Sequence, residues 1–284
     1  MSVQILRQSY GKHQVRVSKI KRPRHHSAKD ECHQFMEVSV DIELDGDFDY
    51  AYTQQDNRQL IAPDTCRNIV YILAKKDPMH SIESFGCCIA THFIDSYPQV
   101  EQAFIRLREH RWNSVEGSGH VFTGGDSETP TVEIVAIRDK PLQIEAGIEH
   151  WSLAKTTESG FENFHRDQYR TLSDTSDQIL ATSLTARWRY ATYPDDYPAS
   201  RSLVRETLLH AFMNHYSHSL QDTLYRMAKA ALTAEASLDS IHLVMPNKHH
   251  IRFPLEPFGF DNDNEVFIVT DEPFGYISAT VSRM

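Results

Sequence analysis

Met36-Glu37-Val38-Ser39-Val40-Asp41-Ile42-Glu43-Leu44-Asp45-Gly46, MEVSVDIELDG, alternates apolar and polar residues without a break up to an Asp-Gly turn. A period of two puts Met36, Val38, Val40, Ile42 and Leu44 on one face of a strand and Glu37, Ser39, Asp41 and Glu43 on the other. Upstream, Val15 and Val17 alternate with charged residues, so the two runs are predicted to form a hairpin. The period then changes. After Pro63 a helical stretch carries Ile69, Val70, Ile72 and Leu73. A second repeats Ile82, Phe85, Ile89 and Phe93 at spacings of three and four, with Ser81 as N-cap and Tyr97-Pro98 as terminator. Strands over 104–112 and 131–137 follow.

The second half repeats the order. A strand over 151–155 precedes a long one in which Leu184, Ala186, Trp188 and Tyr190 alternate with Thr185, Arg187 and Arg189. Helices from about Ala199 and about Ser219 bury Val204, Leu208, Ala211 and Phe212, then Leu220, Leu224, Met227 and Ala231. Closing strands carry Ile241, Leu243 and Met245; Ile251, Phe253 and Leu255; residues 266–269; and Ile277, Ala279 and Val281. Strand-strand-helix-helix-strand-strand, twice, predicts an α+β protein of two tandem repeats, 1–140 and 141–284, each an antiparallel sheet with a helix pair on one face. Such sheets leave open edges, and pairing with another subunit by sheet extension covers them.

Composition narrows the function. The 284 residues carry a formal charge of −10, which opposes phosphate-backbone binding, so no nucleic-acid partner is expected. The basic cluster from Lys19 to His26 is read as a solvated hairpin loop. No apolar run reaches the ~20 residues of a membrane span, and Met1-Ser2-Val3-Gln4-Ile5 shows no charged leader before an apolar block. No membrane partner and a cytoplasmic location are expected. Ser282-Arg283-Met284 resembles a degenerate peroxisomal address, the alternative location. Cys32, Cys66, Cys87 and Cys88 form no CxxC pair and are read as reduced thiols, with neither a zinc site nor a disulfide framework. The histidines of HAFMNHYSH, His210, His215 and His218, lack the i, i+4 spacing of a ligand pair, and no metal is expected. There is no GxGxxG and no Walker loop; Gly124-Gly125-Asp126 is a turn signal.

Several segments resemble the urate oxidase (uricase) family, whose tandem tunnelling fold (T-fold) has this order of elements. They are Tyr10-Gly11-Lys12 leading into Val15-Arg16-Val17; Phe85-Gly86 with Thr91-His92-Phe93; Lys155-Thr156-Thr157 through Gly160-Phe161-Glu162 to Tyr169-Arg170-Thr171-Leu172; Ile179-Leu180-Ala181-Thr182; Gln221-Asp222-Thr223-Leu224-Tyr225; and Pro246-Asn247-Lys248-His249. The resemblance implies a homotetramer whose sheets join into a barrel, with active sites at subunit interfaces. It also implies oxidation of urate by O₂, the co-substrate, to 5-hydroxyisourate and hydrogen peroxide with no cofactor.

The resemblance also assigns residues. Lys12 matches the lysine of the proton relay and His249 its histidine, a side-chain type that changes charge near neutral pH. Asn247 matches the amide that holds water or O₂ above the purine plane. Phe161 matches the ring that stacks on the substrate. Gln221 matches the amide that reads the pyrimidine edge as donor and acceptor together, and Leu220 supplies a wall and a backbone group. Asp64 retains the backbone N–H that binds a purine oxygen at a helix start, where an anion is favoured.

Two positions depart from the family pattern. Pro63 stands at the threonine whose hydroxyl bridges lysine and substrate, and proline has neither hydroxyl nor N–H. Thr65, a possible surrogate, points about 100° away from Asp64 on a helix. Gln178 stands at the substrate-binding arginine, and its neutral hydrogen bonds are weaker than charge-assisted ones. Two functions are therefore carried forward: oxidation of urate or a related, less anionic purine-like heterocycle, and a purine-binding or structural T-fold protein impaired in turnover.

Overall fold

The computed structural model describes residues 3–23, 32–125 and 127–284. Met1 and Ser2, residues 24–26 of the basic cluster and Asp126 of the Gly-Gly-Asp turn lie outside them. The chain divides into two compact units, Met1–Gly147 and Ile148–Met284.

The first unit runs β1 (Tyr10–Lys21), β2 (Gln34–Gly46), α1 (Asp49–Thr53), α2 (Pro63–Lys76), α3 (Ile82–Ser96), β3 (Val100–Glu109), β4 (Trp112–Ser114), β5 (Phe122–Gly124) and β6 (Thr129–Ile137). Strands β1, β2, β3 and β6 lie side by side, all antiparallel. The alternation in β2 sets the register: Val38, Val40, Ile42 and Leu44 are fully buried on the face that α3 and α2 help to cover. Helix α3 packs so close that a Cβ on Gly86 would lie 2.9 Å from Ile134 and Leu107 side-chain carbons. Ser81 caps α3, accepting from Ser84 N–H in a reciprocal capping box.

The polar half of β2 is not simply solvated. Ser39 and Asp41 are only 6% and 7% exposed. Arg108 donates to Asp41 Oδ2 at 3.0 Å, Trp112 Nε1–H to Glu37 at 2.9 Å, and Arg16 pairs with the same Glu37.

Where sequence and structure differ, the cause is local. The basic cluster begins in strand, because Lys19, Ile20 and Lys21 belong to β1. The predicted strand over 104–112 is two strands: β3 stops at Glu109, and Trp112 opens the β4–β5 hairpin, its ring stacked on Phe35 at 5.2 Å. The short α1 carries no buried residue and so no apolar pattern that would reveal it.

β7 (Gln143–Lys155) carries the chain into the second unit and is longer than the predicted 151–155. There follow β8 (Leu180–Tyr190), α4 (Tyr197–Met213), α5 (Leu220–Ala234), β9 (Leu238–Val244), β10 (Asn247–Arg252), a 3₁₀ turn (Glu256–Phe258), β11 (Phe267–Gly275) and β12 (Ser278–Ser282). β8 pairs with β7 and β9, and β9 pairs with β12. The β10–β11 hairpin joins the start of β8 through Lys248 opposite Ala181. The predicted run Ile251-Phe253-Leu255 is cut at Arg252, since Pro254 has no N–H for a ladder. The architecture is the predicted α+β arrangement of sheet plus helix pair, repeated.

One hydrogen bond ties α2 to the sheet just before Pro63. Ile61 N–H donates to the Tyr10 hydroxyl at 2.7 Å, and Tyr71 donates to Arg16 carbonyl at 3.2 Å further along the helix. Lys19 donates to the Ala74 and Asp77 carbonyls at the far end. Burial pushes the Tyr10 phenol up to about 12, so it stays protonated through neutral pH. Tyr10→Phe leaves the buried Ile61 N–H without that partner, and such a loss costs ~1 to 3 kcal/mol. Urea denaturation should show the midpoint falling accordingly, whereas an unchanged midpoint would mean the bond contributes nothing.

Candidate active site

The predicted site residues fall into two groups, one in each unit. In the first unit Lys12 pairs with Ile42 and sits immediately before a β-bulge that ends at Val15, a device that re-aims side chains. The bulge is held by Gln14 N–H donating to Asp41 Oδ1 at 2.7 Å, with Gln14 at φ 57°. Two residues before Lys12, Tyr10 holds Ile61, and α2 opens two residues later. Lys12 and the first turn of α2 are therefore anchored by a shared contact.

Pro63 occupies the first helical position, where a missing N–H costs nothing. Ala62 offers no side-chain cap, so the N–H groups of Asp64 and Thr65 have no acceptor within the helix. The Asp64 carboxylate turns along the helix to Arg67 at 2.5 Å and Asn68 at 2.9 Å, and both Asp64 and Thr65 are exposed.

In the second unit the structure brings Phe161, Gln178, Leu220 and Gln221 together through a strap, residues 158–161, laid across the entrance to α5. Ser217 N–H donates to Glu158 carbonyl at 2.9 Å, Gly160 N–H to Ser217 carbonyl at 2.8 Å, and Gln178 N–H to Ser159 carbonyl at 2.9 Å. Phe161 exchanges both backbone hydrogen bonds with Thr175, at 2.7 and 3.1 Å. Gly160 is there because nothing larger fits: an added Cβ would lie 2.2 Å from the Tyr216 hydroxyl, which itself donates to Ser176 carbonyl.

Two residues after Ser217, Ser219 caps α5 by accepting from Asp222 N–H at 3.1 Å. Leu220 and Gln221 are the first two residues of that helix. Leu220 is 5% exposed and its side chain belongs to the core of α5, so what it can offer a ligand is backbone; Gln221 is exposed. The antiparallel pairing of Lys248 with Ala181 sets Asn247 and His249 beside the start of β8, three residues from Gln178.

The half-exposed Phe161 ring stacks on Phe164 at 4.7 Å and 8°, and the Arg170 guanidinium covers Phe164 at 4.7 Å. Arg170 is fixed by Asp174 at 2.8 Å and Leu172 carbonyl at 2.7 Å. This run of planar groups is one a flat heterocycle can extend. Gln178, whose backbone N–H donates to Ser159 carbonyl, Gln221 in the first turn of α5 and Asn247 at the start of β10 carry neutral amides, each both donor and acceptor. Asp177, next to Gln178, keeps its carboxylate on Thr157 at 2.8 Å and Asn264 at 3.3 Å.

Sequence reasoning did not find Phe164, Arg170, Tyr216, Ser217 or Thr223 as parts of this assembly. Their spacing carries no periodic signal; only Ser219, a helix-start serine, was legible. His215, among the histidines of HAFMNHYSH, donates from Nδ1 to Ala211 carbonyl at 2.7 Å and meets Thr223 through Nε2 at 2.9 Å. Among the described residues no group of three or more His, Cys, Asp or Glu side chains could hold a metal ion, and no helix is long and apolar enough to cross a membrane.

Comparison with known proteins covers nearly the whole chain. The model of the family described as Uricase matches residues 8–135 and 144–278. The uricase of Arthrobacter globiformis is 38% identical over 274 residues, covering 96% of this chain and 88% of the relative. That of Dictyostelium discoideum is 33% identical over 280 residues, covering 96% of both. The crystal structure of the Arthrobacter globiformis uricase superposes with a TM-score of 0.94 at 36% identity, covering 100% of this chain and 96% of that one. With the family matched across both units and relatives 38% and 33% identical over most of their length, this chain belongs to the uricase family.

Proposed function

We propose that the protein oxidises urate with O₂ and water to 5-hydroxyisourate and hydrogen peroxide. The observation that carries this reading is the convergence of Phe161, Gln178 and Gln221 at the start of α5, with Asn247 and His249 beside β8, in a chain of the uricase family. Phe161 receives the face of the purine; Gln178 and Gln221 hydrogen-bond its edge, and the Leu220 backbone flanks it. Asn247 holds the water or O₂ above the ring plane. Lys12 and His249 move the proton, and Asp64 N–H binds a purine oxygen at the head of α2, with Thr65 as the nearest hydroxyl. O₂ is the co-substrate, and neither metal nor organic cofactor takes part, as the family resemblance implies.

We also propose a homotetramer with active sites at subunit interfaces, located in the cytoplasm. The chain's edge supports assembly. β11 ends its sheet with Ile268, Val269 and Phe274 exposed, Val269 at 62%, and Ile251, Phe258 and Phe260 are exposed on neighbouring segments. An open apolar edge of this kind is what sheet extension between subunits covers. Light scattering at micromolar concentration should give a multiple of the 32.7 kDa chain mass. A monomer mass would overturn the interface sites.

Pro63 and Gln178 tune the site. Gln178 supplies no charge to a urate anion, and a cation in a desolvated site can contribute ~2 to 5 kcal/mol. In oxygen-electrode kinetics with urate, Gln178→Arg should mainly lower KM, by tenfold or more on that scale. Pro63→Thr restores a hydroxyl near Lys12 and should mainly raise kcat, with little loss of stability because Thr is acceptable at a helix start. If the wild type and a folded, assembled double mutant both fail to bind urate or consume O₂ with it, the pocket serves another ligand.

A further inference from the structure

The strap that carries Phe161 and the helix turn that carries Gln221 are joined by side chains as well as backbone. His215 Nδ1 faces the Ala211 carbonyl, which can only accept, so Nδ1 bears the proton. Burial first, then the charges of Lys155 and Arg226, lower the His215 pKa, against the opposing effects of the Ala211 carbonyl and Asp222. In the neutral ring Nε2 is bare and accepts from the Thr223 hydroxyl at 2.9 Å. Having given its proton to His215, Thr223 accepts from Ser217 at 2.6 Å. The donors thus run in one direction, Ser217 to Thr223 to His215 to Ala211. The Ser219 carbonyl, 3.1 Å from the Ser217 hydroxyl, is a second acceptor for it.

Both ends of this chain are clamped. Ser217 grips the strap through its own N–H and carbonyl, at Glu158 and Gly160, one residue from Phe161. Thr223 lies two residues past Gln221 in the first turn of α5. Lys155 donates to the His215 carbonyl at 2.5 Å and pins the far end to β7. Ser217 and Thr223 are fully buried, so neither hydroxyl is placed to meet a ligand in open solvent. Buried hydroxyls joined in this way fix geometry, because a broken link leaves a polar atom without water or partner.

We propose that Thr223, acting with Ser217 and His215, is a positioning residue that fixes the gap between the Phe161 ring and the Leu220–Gln221 turn, and hence the grip on a planar substrate. This assignment rests on the function proposed above, in which Phe161 and Gln221 hold the purine. A gap set before substrate arrives acts on ground state and transition state alike, so its loss raises KM and leaves kcat nearly unchanged.

The test compares Thr223→Val, which keeps the shape and removes the hydroxyl, with Thr223→Ser, which keeps the hydroxyl, in steady-state O₂ consumption with urate. Thr223→Val should raise KM about tenfold with kcat within about twofold, and Thr223→Ser should stay within about twofold of wild type in both. A general structural defect would instead lower kcat with the fraction of active protein and leave KM alone. If Thr223→Val does not fold, His215→Gln, whose amide oxygen can accept from Thr223, and His215→Leu, which cannot, read the same chain from its other end. Wild-type KM in Thr223→Val, or a Thr223→Ser as impaired as Thr223→Val, overturns the assignment while the urate reading stands. A wild type that neither binds nor turns over urate overturns the functional reading and this assignment with it.

Discussion

The alternation in β2 constrains everything built around it. A strand with four fully buried residues at every second position, Val38, Val40, Ile42 and Leu44, cannot leave that face in water. Burying a large aliphatic side chain is worth ~1.5 to 3 kcal/mol, and in this sheet helix packing supplies the cover. The other face is held differently, by Asp41 with Arg108 and Glu37 with Arg16 and Trp112. The second unit repeats the scheme: Leu184, Ala186 and Trp188 on β8 and Ile241 and Leu243 on β9 are fully buried, and α5 packs against β9 and β12.

The helices that cover the sheets also present their first turns. α2 and α5 each begin after an extended lead-in, and each leaves N–H groups without acceptors in the helix. Asp64 and Thr65 stand in one such turn, Leu220 and Gln221 in the other. The lead-ins are fixed by specific hydrogen bonds, Ile61 to Tyr10 in the first unit and Gly160 to Ser217 in the second. The same constraint that makes the core thus aims the groups proposed to bind purine.

Legibility in the sequence followed periodicity. The strand-helix order, the Ser81 cap and the helix starts at Pro63 and about Ser219 could be read because they repeat at two or at three to four residues, or obey cap chemistry. The break between Glu109 and Trp112 could not, because it depends on Trp112 stacking on Phe35, far away in sequence. The end of β10 at Arg252 has a local mark in the sequence, Pro254, which runs against the apolar alternation of Ile251, Phe253 and Leu255. The site residues came from family resemblance rather than from pattern. Phe161 and Leu220 read alone are core-type residues, and the half-exposed ring of one and the buried side chain of the other emerge only from the fold. The hydroxyl chain of Ser217 and Thr223 was invisible, since its two hydroxyls are six residues apart across a helix start and meet only once α5 and the turn before it have formed.

The central claim is that a flat purine lies on Phe161 with its edge on Gln178 and Gln221. The most direct measurement is a crystal structure of the assembled protein with urate, soaked without oxygen so that no turnover occurs. The account predicts the purine plane parallel to the Phe161 ring at stacking distance, with both glutamine amides hydrogen-bonded to its edge. Urate bound elsewhere, or bound here with its plane turned away from Phe161 and its edge facing neither glutamine, would contradict it.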